Sequence, residues 1–77
     1  MEDIDRENFY YPLKNCKTLQ EIKNLIDNID NDDLLLFIKD KYKQFFEFNK
    51  HDNVDINMLI IILESAYLDF VKNSWMI

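Results

Sequence analysis

The chain has 77 residues and a formal net charge of −6, with 48% hydrophobic residues, no glycine and one proline. This length predicts a single domain, and the apolar share exceeds what a disordered chain carries. The acidic balance argues against direct binding to nucleic acid, where Lys and Arg neutralise phosphates, and against an anionic membrane surface. We therefore expect any partner to be another protein, one with a basic surface.

The lack of glycine favours helices over sheets, because tight hairpins usually place glycine where the backbone needs a positive φ. We predict an all-α fold, namely a small antiparallel three-helix bundle in up-down-up order with an N-terminal arm or short fourth helix. Residues 1–17 are predicted to form the arm and residues 18–77 the three-helix body of one domain.

The sequence also bears on the location of the protein. Its acidic start resembles neither a signal peptide nor a transit peptide, and its longest apolar run, Met58–Leu63, is shorter than the roughly 20 residues of a membrane span. Cys16 is the only cysteine, which excludes an internal disulfide and predicts a reducing, cytoplasmic location. Frequent Lys, Asn and Ile, whose codons are AT-rich, indicate an AT-rich genome, such as those of viruses, phages, firmicutes and some protozoa.

The N-terminal arm carries a dense apolar cluster. Residues Asp5–Tyr11 are predicted to form a short helix that Pro12 ends, because the residue before a proline avoids the α region. We expect the arm to pack on the body through Phe9, Tyr10, Tyr11 and Leu13.

The first helix of the body is predicted to begin at Thr18. The sequence TLQE is a capping box, in which the Thr18 hydroxyl accepts from the Glu21 amide and the Glu21 side chain accepts from the Thr18 amide. One face of this helix carries apolar residues at helical spacing. These residues are Leu19, Ile22, Leu25, Ile26 and Ile29.

Two further helices are predicted, from about Asp33 to Asn49 and from about Ile56 to Ser74, the latter with Asp55 as its N-cap. The apolar face of the earlier helix consists of Leu34, Leu35, Ile38, Tyr42, Phe45 and Phe46. The core face of the later helix consists of Ile56, Leu59, Ile60, Leu63, Ala66, Tyr67, Phe70 and Val71. The last helix is apolar nearly all round over its first half, which is typical of a central helix.

Four aspartates cluster between the first two helices of the body. We call them the acidic turn: Asp27, Asp30, Asp32 and Asp33. A calcium loop that starts at Asn28 would need glycine at its sixth position and glutamate at its twelfth, where this chain has Asp33 and Lys39. We therefore expect no metal there. One of Asn31, Asp32 or Asp33 is predicted to cap the next helix, and a docking role for the acids remains open in addition.

Few residues are suited to catalysis. His51 lies in a polar loop with only Asp52 as an evident partner, and we expect it to be exposed. Cys16 is either a thiol activated by Lys14 and Lys17 or, as we expect, a half-buried thiol without a role. The chain has no glycine-rich phosphate loop, no CxxC and no HExxH motif. We expect no enzyme activity, no catalytic residue, no cofactor and no metal.

A second apolar line on the last helix consists of Ile61, Leu68 and Trp75. It either packs against the N-terminal arm or contacts another chain, because Trp75 lies close to the end of the chain. Two hypotheses for function follow. The first is a small acidic inhibitor or modulator that occupies a basic surface of a partner, such as a nucleic-acid-handling enzyme, through the acidic turn. The alternative is an adaptor, structural subunit or homo-oligomer that binds through the apolar line.

Overall fold

The computed structural model describes residues 5–48 and 54–75. A π-helical turn, Arg6–Tyr10, leads directly into a short helix α1, Tyr11–Leu13. The longer helices are α2, Leu19–Asp27, α3, Asp32–Phe48, and α4, Ile56–Trp75. The described ranges contain no strand, and the predicted all-α class is confirmed.

The N-terminal segment packs on α4 through aromatic side chains. Phe9 and Leu13 are fully buried. The ring of Tyr67, itself fully buried, lies 6.2 Å from the Phe9 ring and 4.8 Å from the stacked Tyr10 ring. Such aromatic pairs contribute beyond the apolar area that they bury. The N-terminal segment therefore belongs to the same core as the helices that follow.

The expectation that Pro12 ends a helix is wrong. Pro12 lies in the first turn of α1. The helical path changes from π to α at Tyr11, whose N–H donates to the carbonyl of Arg6. A missing N–H is tolerated in a first helical turn, and the fixed φ of proline suits it.

A single cluster of buried apolar residues joins all the elements. It consists of Phe9, Leu13, Ile22, Ile26, Ile29, Leu34, Ile38, Phe45, Leu59, Ile60, Leu63, Ala66, Tyr67 and Val71. The members from α3 and α4 all belong to the faces predicted from the helical spacing. The remaining predicted face residues, such as Tyr42 and Phe70, are partly buried around the cluster. No charged or polar residue of the described ranges is buried in it.

The predicted capping box at the start of α2 is confirmed. The Thr18 hydroxyl accepts from the Glu21 amide at 3.2 Å. The Glu21 carboxylate accepts from the amide of Lys17 at 2.7 Å and from that of Thr18 at 3.1 Å. The Lys17 amide is the largest cause, ahead of the Thr18 contacts, of the lowered pKa of Glu21. Hydrogen bonds to a carboxylate favour its charged form.

The two longest helices pack together over much of their length. Phe37, in the first half of α3, meets Phe70, in the second half of α4, with ring centroids 5.7 Å apart. Asp55 begins α4, as predicted, by accepting from the Met58 amide at 3.2 Å. The predicted end of the earlier helix, Asn49, lies outside the described residues. The up-down-up order of the whole bundle stays a prediction.

Candidate protein-binding surfaces

The connection between α2 and α3 is held by an acid from the N-terminal segment. The Asp5 carboxylate accepts from the Asp30 amide at 2.8 Å through Oδ1 and from the Asn31 amide at 3.0 Å through Oδ2. The Asp5 carbonyl also accepts from the Phe9 amide at 2.8 Å, at the start of the π-helical turn. Asp5 has a φ of 52°, in the left-handed region that Asp tolerates better than most residues. One side chain thus anchors two distant segments to each other.

Asparagine side chains complete this connection. Asn8 donates through Nδ2 to Asp30 Oδ2 at 3.0 Å. Asn31 Oδ1 accepts from the Leu34 amide at 2.9 Å, so Asn31 is the N-cap of α3 among the three predicted candidates. Asp32 and Asp33 follow in the first turn, where the positive end of the helix dipole favours acids. Helix capping and the helix dipole therefore account for Asn31, Asp32 and Asp33 in this turn.

All four aspartates of the acidic turn are exposed. Asp27 is the last residue of α2, and Asp30 lies in the connection. Over residues 5–48 and 54–75, no group of three His, Cys, Asp or Glu side chains is arranged to hold a metal ion. The acids are therefore available to a partner, although one of them, Asp30, is already bonded to Asn8.

The side of α4 that faces away from the core carries three large apolar residues that are exposed. Ile61 is 64% exposed, Leu68 is 47% exposed and Met58 is 48% exposed. The spacing of these three residues places them on one side of a helix, which we call the outer face of α4. Trp75 ends the helix, and its side chain lies outside the described residues. Its predicted place in this surface stays a prediction.

Of the two alternatives for this apolar line, packing against the N-terminal arm does not hold for Ile61 and Leu68, which are exposed. Phe9 and Tyr10 contact Tyr67 on the core side instead. Because Tyr67 and Leu68 are neighbours in a helix, their side chains point about 100° apart, and one segment rarely covers both. Met58 was not predicted to belong to this surface, although its position three residues before Ile61 places it on the same side of α4.

The two residues considered for catalysis have different outcomes. Burial, followed by the negative charge of Glu21, raises the pKa of the Cys16 thiol. The thiol contacts the Pro12 carbonyl at 3.7 Å. A raised pKa favours the protonated thiol, which agrees with the expected half-buried thiol rather than with a thiol activated by lysines. His51 lies outside the described residues.

The acidic turn leads into α3, and α3 packs on α4, the helix that carries the outer face. Phe37, in the first half of α3, contacts Phe70, in the second half of α4. Leu68 lies two positions before Phe70, so its side chain points to the other side of α4, away from α3. No helix of the described ranges combines the length and apolar character that crossing a membrane requires. No protein-family model, curated protein or solved structure matches this chain.

Proposed function

We propose that this protein is a non-catalytic protein-binding module that acts in the cytoplasm as an inhibitor or modulator of its partner. The observation that supports this most is the joint exposure of Ile61 and Leu68 on the outer face of α4. Specific interfaces have an apolar centre, and a small domain gains no stability from aliphatic side chains left in water. The outer face supplies such a centre.

The charge of the chain indicates the chemistry of the partner. A net charge of −6 and the exposed acids at the start of α3 favour a partner whose apolar patch is bordered by Lys and Arg. Enzymes that handle nucleic acids carry such basic surfaces, because they bind phosphates. In this proposal Asp32 and Asp33 steer the encounter, and Ile61 and Leu68 hold the complex.

A second candidate is an adaptor, structural subunit or homo-oligomer that binds through the outer face alone. The contacts of Asp5 with the Asp30 and Asn31 amides favour it, because they give part of the acidic turn a role within the fold. The remaining acids would then serve mainly to keep the protein soluble. In this case the strength of binding would hardly depend on salt.

The apolar part of the proposal is tested by capturing partners with tagged wild type and with Ile61→Asp and Leu68→Asp variants. A charge in the centre of an interface should abolish capture of a specific partner while circular dichroism stays unchanged. Leu36→Asp is the matched control, because Leu36 is 68% exposed but lies on α3. Equal capture by all three variants contradicts the proposal, and so does equal loss.

The acidic part is tested on the purified partner by changing Asp27, Asp30, Asp32 and Asp33 to asparagine one at a time. Asparagine keeps a capping oxygen, so the fold should persist while the charge is lost. At least one variant should associate more slowly, by roughly two- to tenfold, and the difference should vanish at high salt. Asp40→Asn, an exposed acid in the middle of α3, is the matched control. Unchanged rates in all four variants, with Leu68→Asp still disruptive, favour the adaptor.

A further inference from the structure

A groove between α2 and α3 belongs to neither of the surfaces described above. It contains two adjoining cavities of about 670 Å³ and about 310 Å³. Lys23, Tyr42 and Lys43 line both cavities, which therefore form one continuous groove. Volumes of this order are typical of sites for small organic ligands.

The floor of the groove is apolar. Leu19 and Phe46 line the larger cavity together with Tyr42, and all three are partly buried. The rings of Tyr42 and Phe46 lie 4.8 Å apart at an angle of 56°. Burial of Tyr42 raises the pKa of its hydroxyl, which therefore stays neutral at physiological pH. The floor can accept the hydrocarbon body of a ligand without burying a charge.

The rim of the groove is basic, although the protein as a whole is acidic. Lys23, Lys39 and Lys43 are exposed around it, and none of them makes an ion pair in the part of the chain that the structure describes. Two acids also line the groove, Glu47 in the larger cavity and Asp27 in the smaller one. Lys23 and Lys43 line both cavities, whereas each acid lines only one, so the most favourable place for an anion is between these two lysines.

We propose that this groove binds a small amphipathic anion. A single carboxylate or phosphate lies between Lys23 and Lys43, and an aliphatic or aromatic body lies on Leu19, Tyr42 and Phe46. Charge complementarity supports this ligand, because three lysines that make no ion pair within the described residues border an apolar floor. The ligand binds as a free molecule rather than within a bilayer, since a chain with a net charge of −6 is repelled by an anionic membrane.

The first experiment titrates the full chain with decanoate below its micelle concentration and follows amide NMR shifts. Shifts should concentrate on α2 and α3 around Lys23 and Lys43. Two probes separate the contributions: decyltrimethylammonium has the same tail with the opposite charge, and acetate has the charge without the tail. Both should bind roughly tenfold more weakly or not at all. Equal binding of decyltrimethylammonium, or shifts centred on the outer face of α4, overturns the proposal.

The second experiment compares two variants of equal net charge. Lys23→Gln/Lys43→Gln should weaken decanoate binding by roughly fivefold to tenfold, because both charges at the anion are lost. Lys17→Gln/Lys72→Gln removes two exposed lysines that do not line the groove and should change binding less than about twofold. Equal weakening in both variants overturns the site. If the protein instead sediments with phosphatidylglycerol vesicles and does not bind decanoate, the anion belongs to a membrane lipid. That result would overturn the proposal of a free ligand.

Discussion

The acidic turn and the outer face of α4 differ in how far the fold itself accounts for their residues. In the turn, Asp5 accepts from two backbone amides and Asn31 caps α3. On the outer face, Ile61 and Leu68 are exposed apolar side chains that lie outside the core. The polar surface thus has a structural explanation, and the apolar surface does not.

This difference shows which kind of surface is better evidence of a partner. Turn residues such as Asp and Asn satisfy backbone amides at helix ends, and this need alone can concentrate acids. Aliphatic side chains gain about 25 cal/mol for each Å² removed from water, a gain that Ile61 and Leu68 do not realise in the isolated chain. Single exposed apolar residues are common, so only several that share one face indicate a partner.

Substitutions in α4 give the largest expected effect, because a buried and an exposed residue lie two positions apart there. Leu63→Ala should destabilise the protein by about 2–5 kcal/mol, because it leaves a cavity in the core. Ile61→Ala should change the free energy of unfolding by no more than about 0.5 kcal/mol, because Ile61 is exposed. Urea unfolding of both variants measures the difference. A large loss in Ile61→Ala would show that the outer face contributes to the fold.

The anchoring role of Asp5 can be tested at the other surface. Asp5→Ala should destabilise the protein by about 1–3 kcal/mol, because the exposed Asp30 amide and the half-buried Asn31 amide lose a charged acceptor. The melting temperature of so small a domain should then fall by about 4–8 °C for each kcal/mol. Asp5→Asn tolerates the left-handed backbone equally well and should lose less. Asp27→Ala, which removes an exposed acid without a hydrogen bond in the described ranges, should leave the melting temperature nearly unchanged.

Local sequence patterns predicted most of the fold. The helical spacing of apolar residues identified the faces of α3 and α4, since burial of one face follows directly from the 3.6-residue repeat. The TLQE motif placed the start of α2 at Thr18, because a capping box involves residues only three positions apart. Ile29 is buried although it lies beyond the end of α2. The apolar spacing therefore predicted its burial correctly but did not mark where the helix ends.

Long-range contacts were not predictable in the same way. The bond from Asp30 to Asp5 joins residues 25 positions apart, and nothing in the local sequence around Asp5 distinguishes it from other acids. Ile61 is exposed because the N-terminal segment packs on the other face of α4. Local sequence does not determine which of the two faces this segment contacts. The groove lined by Lys23 and Lys43 arises only when α2 packs on α3.

The capping box allows the long-range anchor at Asp5 to be compared with a purely local contact. Thr18→Ala should lower stability by about 0.5–2 kcal/mol, because the Glu21 amide loses its acceptor while the core is unchanged. Thr18→Ser keeps the hydroxyl and should melt close to wild type. Thermal melts followed by circular dichroism measure both variants. A Thr18→Ala variant that melts like wild type would show that this cap contributes nothing to stability.

The smallest expected effect is the pH dependence that Glu21 contributes. The Lys17 amide, with smaller contributions from Thr18, lowers the pKa of Glu21 from its ordinary value of 4.5. The unfolded chain therefore binds the proton more readily, so this stabilisation is present above that ordinary value and is lost as the pH falls through the lowered folded-state pKa.

Glu21→Gln keeps an oxygen for the same amides but removes the charge. Wild type should thus melt slightly above Glu21→Gln at about pH 7, and this gap in melting temperature should close as the pH falls through the lowered folded-state pKa and Glu21 becomes protonated. The gap is the informative quantity, because it isolates the contribution of the Glu21 charge. A gap that stays constant across this range would show that the charge of Glu21 plays no part in the cap, and that the local contact depends on its hydrogen bonds alone.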